Sequence, residues 1–120
     1  MDKALNFLGL CRRAGKLLIG EDGVSGAARS GQAVLLMVAA DTADNTRKKA
    51  GNLSRWYGIP LITLPWDKDT LGELLDKRVC AILALTDKGL ADALGKKLTA
   101  LSGRDAGAGA EKTGKGRTEQ

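Results

Sequence analysis

The sequence predicts an α/β domain, a three-layer α/β/α sandwich around a central mixed sheet of about four strands. Three observations carry that expectation. Short, wholly apolar runs suited to buried strands alternate with longer segments of helical periodicity. Glycine or a helix-capping residue stands at most of the junctions between them. The length of 120 residues leaves room for one hydrophobic core and a tail, not for two cores.

The elements follow in order. From Asp2 to about Arg13, the residues Ala4, Phe7, Leu8 and Cys11 recur at the i, i+3, i+4, i+7 spacing of one helix face. Arg12, Arg13 and Lys16 put cations where they suit a helix C-terminus, and Gly15 supplies a stop. Leu17-Leu18-Ile19 reads as a short buried strand that Gly20 breaks. Glu21 to about Ser30 is expected to be helical, although Gly23 and Gly26 each cost about 1 kcal/mol relative to Ala in a helix interior. Glu21 and Asp22 favour that helix, because negative charge is stabilised at a helix start. Gly31 ends it.

Ala33 to Ala39 is continuously apolar, as befits a central strand covered on both faces. Asp41 or Thr42 is expected to cap a helix from about Ala43 to Tyr57, burying Ala43, Ala50, Leu53 and Tyr57. Its wet face would carry Arg47, Lys48 and Arg55. After Gly58, the run Ile59 to Leu64 gives a strand. Thr70 and Glu73 have the spacing of a capping box ahead of Leu71, Leu74 and Leu75. Val79 to Leu85 is a last apolar strand, and Asp87 opens a helix with Leu90, Leu94, Leu98 and Leu101 on one side. Strands alternating with helices imply parallel crossovers. The folded domain is therefore expected over residues 1–101. Residues 102–120, rich in glycine and poor in apolar bulk, are expected to form a disordered tail.

Composition narrows the function. Lys and Arg outnumber Asp and Glu by 19 to 14, a formal charge of +5 that favours acidic partners without establishing one. There is no histidine, so the usual general base and the commonest metal ligand are both missing. Cys11 and Cys80 are too isolated for a zinc site and lie in apolar patterns that suit the core. No set of base, nucleophile and oxyanion donors can be assembled, so neither an enzyme nor a bound cofactor or metal is expected. No apolar stretch approaches the roughly 20 residues that span a bilayer. The N-terminus also lacks the pattern of a signal peptide, so a cytoplasmic protein with reduced thiols is expected, most simply a monomer.

Two loops are candidates for binding chemistry. At Gly20-Glu21-Asp22-Gly23 and on to Gly26, a strand runs into a helix start whose unpaired amides suit an anion. The glycines there allow close approach of another backbone. Glu21 and Asp22 oppose a phosphate but can accept hydrogen bonds from a guanine edge. Equally, both acids can simply stabilise the helix end. The second loop is Lys77-Arg78-Val79, ahead of the last strand. Two cations beside an apolar residue suit phosphate contact plus stacking against an extruded base, or form a solvated turn. Arg78 is the stronger candidate, since its planar guanidinium can pair bidentately or stack. Arg29, with Arg12, Arg13 and Lys16, either extends a basic rim that sets affinity through counterion release or is simply solvated helix-end charge. Trp56-Tyr57 reads as packing at a helix end.

The segments LNFLGLCRRAGKLLIGED, VLLMVAADTADNTRKKAGNLSRWYGIPLI and LGELLDKRVCAILALTDKGLA, from Leu5 to about Leu94, resemble the kink-turn-binding ribosomal protein superfamily of the L-seven-Ae and L-thirty-e types. They look like its small bacterial members, through Arg13–Lys16, Asp41–Lys49 and Leu85–Ala91. The resemblance implies a three-layer sandwich that binds structured RNA without catalysis. In the family a kink-turn, a sharply bent RNA duplex, is held by the junction after the first strand and by the loop before the last one. Those loops correspond to Gly20–Gly26 and Lys77–Val79. The first departs from the family pattern: Asp22, Gly23 and Gly26 stand where Asn, Glu and Lys are found in the archaeal proteins. The expected partner is structured RNA bearing a kink-turn, ribosomal RNA included. The alternative is a protein–protein adaptor on the same fold that has lost kink-turn binding.

Overall fold

A computed structural model describes residues 3–75 and 80–106, with side chains described as far as residue 100. The chain runs α1 (Lys3–Arg13), β1 (Leu17–Ile19), α2 (Glu21–Arg29), β2 (Leu35–Val38) and α3 (Asp44–Tyr57). It continues through β3 (Leu61–Thr63), α4 (Lys68–Leu74), β4 (Ile82–Leu85) and α5 (Lys88–Ala106). The expected alternation of strand and helix is observed.

The strands form one mixed sheet in the order β1-β4-β2-β3. β2 and β3 are parallel, with Leu36 opposite Leu61 and Val38 opposite Thr63. β4 runs antiparallel to both its neighbours, pairing Ile19 with Leu83 on one side and Met37 with Leu83 on the other. The crossovers from β1 to β2 and from β2 to β3 thus keep a common direction, as expected. The last strand returns between β1 and β2 the opposite way.

Period-two alternation sorts the strand residues into two cores. Leu35, Met37, Leu83 and Leu85 point to one face, where Ala4, Leu5, Leu8 and Cys11 of α1 meet Leu71 and Leu75 from α4 and its end, with Leu94 of α5. Leu36, Val38, Ile82 and Ala84 point to the other, against Val24, Ala27 and Ala28 of α2 and Ala50 of α3. Helices therefore cover both faces, which is why β2 and β4 are apolar at every position. Each such buried Leu or Val contributes roughly 1.5–3 kcal/mol relative to its exposed state. Cys11 and Cys80 lie in this core. Burial, and secondarily the charge of Asp87, pushes the Cys11 thiol up, so it stays protonated as a packing group.

Several local expectations are corrected. Ala43 is the N-cap of α3 and is exposed, and Tyr57 at the other end is exposed as well, leaving Ala50 as the buried centre of that helix. Neither Asp41 nor Thr42 caps α3. Thr42 is buried and its hydroxyl donates to the carbonyls of Ala39 (2.7 Å) and Ala81 (3.1 Å), while Asp41 Oδ1 accepts from the Lys68 amide at 2.8 Å. The cap of α4 is Asp67, which accepts from the Thr70 amide at 2.7 Å, so the Thr70–Glu73 spacing is not the helix start. The backbone of α5 continues to Ala106, past the residue 101 boundary drawn from composition. The rest of the tail expected to be disordered, residues 107–120, lies outside the described residues.

Candidate nucleic-acid interface

The topology gathers four chain ends at one edge of the sheet. The carboxyl ends of β1, β2 and β3 share that edge with the start of β4, because β4 alone runs the other way. In α/β folds the crevice outside the carboxyl ends of the strands is the usual ligand position.

Gly20 is the hinge of this edge. Its φ of 95° and ψ of 158° lie in a region that essentially only glycine occupies, and this conformation turns the chain from β1 directly into α2. The Gly20 amide donates to the Ile82 carbonyl at 3.0 Å, and its carbonyl accepts the first helical bond from Val24, also at 3.0 Å. Of the amides at the helix start, those of Glu21, Asp22 and Gly23 then have no acceptor within the helix. Glu21 and Asp22 are exposed, and Gly20, Gly23 and Gly26 are half-buried. A Cβ at Gly23 would sit 3.8 Å from Leu18 Cβ, an ordinary contact, and one at Gly26 would meet nothing within 4 Å. The Gly26 position is open surface.

Two cations of α3, both solvent-facing, also reach this edge. Lys49 Nζ donates to Glu21 Oε1 at 3.0 Å, tying α3 to the first turn of α2. Arg47 Nη1 donates to Thr63 Oγ1 at 3.0 Å, at the end of β3. The sequence marked the Arg47-Lys48-Lys49 run as a wet face or a lesser RNA contact but not these partners, which are distant along the chain. No local signal points to them.

Lys77, Arg78 and Val79 lie outside the described residues, but the points where that segment leaves and rejoins the fold are described. The Arg12 guanidinium donates to the Leu75 carbonyl, just before the segment. On the far side the Cys80 amide donates to the Lys68 carbonyl at 3.2 Å, and Ala39 donates to Ala81 at 2.9 Å. The segment thus rejoins the fold two residues before Ile82, the residue that accepts from Gly20.

Of the expected basic rim, Arg12 and Arg13 line one hollow with Leu74 and Leu75, whereas Arg29 and Lys16 stand apart. Arg29 ends α2, about 12 Å along the helix axis from Glu21 at 1.5 Å per residue. Lys16 precedes β1, whose start pairs with the end of β4, so it lies at the opposite sheet edge from Gly20. Trp56, expected to pack, is 82% exposed. Among the described residues no group of three His, Cys, Asp or Glu side chains could hold a metal ion, and no helix is long and apolar enough to cross a membrane.

Comparison with known proteins agrees with this architecture. Residues 2–95 match the model of the Ribosomal protein L7Ae/L30e/S12e/Gadd45 family. The chain is 33% identical over 88 residues to the RNA-binding protein YlxQ of Bacillus subtilis, covering 73% of this chain and 87% of that protein. Its counterpart of the same name in Enterococcus faecium is 40% identical over 62 residues, which span 52% of this chain and 60% of that protein. A solved Bacillus halodurans protein of unknown function superposes with a TM-score of 0.74 at 30% identity, covering 82% of this chain and 98% of that one. The Giardia lamblia 15.5kD RNA binding protein shares the fold at a TM-score of 0.62 and 17% identity, over 82% and 83% of the two chains. With the matched fold and a family match over most of its length, this chain belongs to the Ribosomal protein L7Ae/L30e/S12e/Gadd45 family.

Proposed function

We propose that this chain is a non-catalytic, cytoplasmic RNA-binding protein that recognises a kink-turn in structured RNA and acts in association with the ribosome. The observation that carries the reading is the bond from Gly20 to Ile82, which sets the open start of α2 beside the point where the Lys77–Val79 segment rejoins the sheet. Relatives named as RNA-binding proteins support it. In this mechanism the amides of Glu21, Asp22 and Gly23 face the purine-rich bend, and the two acids accept hydrogen bonds from guanine edges. Lys77 and Arg78 hold the backbone, and Val79 packs on an extruded base. Binding then selects the kinked conformer from the free RNA ensemble.

The test is a gel-shift titration of the full chain with a simple kink-turn RNA and a straight duplex, each at two salt concentrations. Preference for the kink-turn at both salts, weakened in Arg78→Glu along with the salt dependence, is expected. Equal affinity for the two RNAs overturns kink-turn recognition. One observation favours the alternative of a protein–protein adaptor: Gly26 leaves a bare surface at the position where the resemblance to the archaeal proteins implies a lysine. Binding to both RNAs at background level, unimproved by Gly26→Lys, supports that adaptor.

A further inference from the structure

α3 is a cationic helix whose aromatic end, Trp56, stands in solvent. It carries Arg47, Lys48, Lys49 and Arg55 against a single acid, Asp44. Lys49, Asn52, Leu53 and Trp56 follow the i, i+3, i+4, i+7 spacing of one helix face. Beside that face lies an open hollow of about 550 Å³ between α2 and α3, lined by Ser25, Lys49, Asn52, Leu53, Arg55 and Trp56. A hollow of this size accommodates a nucleobase with its sugar.

The lining is chemically specific. Trp56 offers most of its indole to solvent, at 82% exposure. Arg55 Nη2 donates to Asn52 Oδ1 at 2.7 Å, which holds the guanidinium against the helix and leaves the Asn52 NH2 as a donor. Ser25, half-buried on α2, presents the opposite wall. Lys49 closes the far end through its pair with Glu21, so the hollow begins where the α2 start leaves off. From Lys49 to Trp56 the helix advances about 10 Å.

We propose that this hollow is a second nucleic-acid contact, where an unpaired base of a single strand stacks on the Trp56 indole while its backbone runs past Lys49 and Arg55. An exposed ring flanked by cations and polar side chains is the arrangement by which proteins hold single strands, since every base has a π-face. The excess of positive charge selects a polyanion over an apolar protein surface as the occupant. The inference rests on the RNA-binding reading and extends it from the bend to the strand that leaves it.

The test uses the full chain carrying Trp66→Phe, so that Trp56 is the only indole reporting. It is titrated with a blunt kink-turn RNA and with the same RNA bearing a single-stranded oligoadenylate extension of about ten nucleotides. The extension is expected to quench Trp56 fluorescence and to tighten binding about tenfold. Trp56→Ala removes that advantage and Trp56→Phe keeps most of it, with both variants melting as the parent does. An extension that brings no gain overturns the proposal, as does a gain that survives Trp56→Ala. A Trp56 emission shift that grows with protein concentration in the absence of RNA assigns the hollow to a protein partner and overturns it too. If the blunt kink-turn binds no better than a straight duplex while the extension still tightens binding through Trp56, kink-turn recognition fails and this contact stands.

Discussion

Lys49 on α3 and Glu21 on the first turn of α2 form an ion pair at 3.0 Å across 28 residues of sequence. Their side chains are 61% and 48% exposed, so the pair is screened and contributes at most about 1 kcal/mol to stability. Its larger effect is electrostatic. Lys49 offsets one of the two carboxylates that otherwise repel a phosphate at the helix start. Lys49→Ala is therefore expected to leave the melting temperature within a few degrees of the parent and to weaken RNA binding severalfold, most at low salt. A titration at two ionic strengths checks both parts. RNA affinity unchanged at low salt would count against an interface at this edge.

Gly20 predicts a backbone effect. Its φ of 95° with ψ of 158° is strained for any residue with a Cβ, although no atom lies within 4 Å of where that Cβ would stand. Gly20→Ala is expected to cost roughly 1–3 kcal/mol, measured by urea unfolding. Strain is the whole cost, because there is space for the methyl. A variant as stable as the parent would show that the turn does not need this conformation.

Gly26 predicts the opposite sign. It lies inside α2 with helical backbone and open space at its Cβ, so Gly26→Lys gains helix propensity of up to about 1 kcal/mol without a clash. The same change adds a cation near the proposed RNA edge. Higher thermal stability and tighter kink-turn binding are expected together, by calorimetry and gel shift.

Asp67 predicts a pH dependence. Hydrogen bonds from the Thr70 amide, and then from its hydroxyl, hold this carboxyl below the usual carboxylate range. A depressed folded value means the unfolded chain binds the proton first as pH falls. The stabilisation is fully present above the ordinary value and is lost as pH drops through the folded one. Asp67→Asn keeps a capping acceptor but cannot titrate. Its melting temperature should therefore fall less steeply than the parent's between about pH 5 and pH 2.

Much of this fold was legible because burial imposes periods on the sequence. The residues of β2 and β4, apolar at every position, announced strands covered on both faces, and Gly15, Gly20, Gly31 and Gly58 all adopt the positive φ that ends an element. The misreadings have local causes. Ala43, Ala50 and Tyr57 keep step around the helix, but Ala43 is the N-cap and Tyr57 the last helical residue, and of the three only Ala50 is buried. Trp56 lies one residue round from Tyr57, on the exposed face it shares with Lys49 and Asn52. At α4, Asp67 and Thr70 have the same spacing as Thr70 and Glu73, and only the backbone distinguishes which frame opens the helix. The two candidate loops were marked by their glycines and cations, but the partnership of Lys49 with Glu21 is tertiary and left no trace in local sequence.

The return of β4 between β1 and β2 has a consequence for how the protein comes into being. Until residues 82–85 arrive, the two strands that flank them have no ladder joining them, and each presents an open edge on the inner side. Sheet closure therefore waits for chain synthesis to pass the last strand, whose pairings with β1 and β2 are both long-range in sequence. Because Gly20 is tethered to that same strand, the α2 start is not braced until closure is complete. A nascent chain cannot display the assembled surface early, so the capacity to grip a ligand there is itself a report that the domain has finished folding.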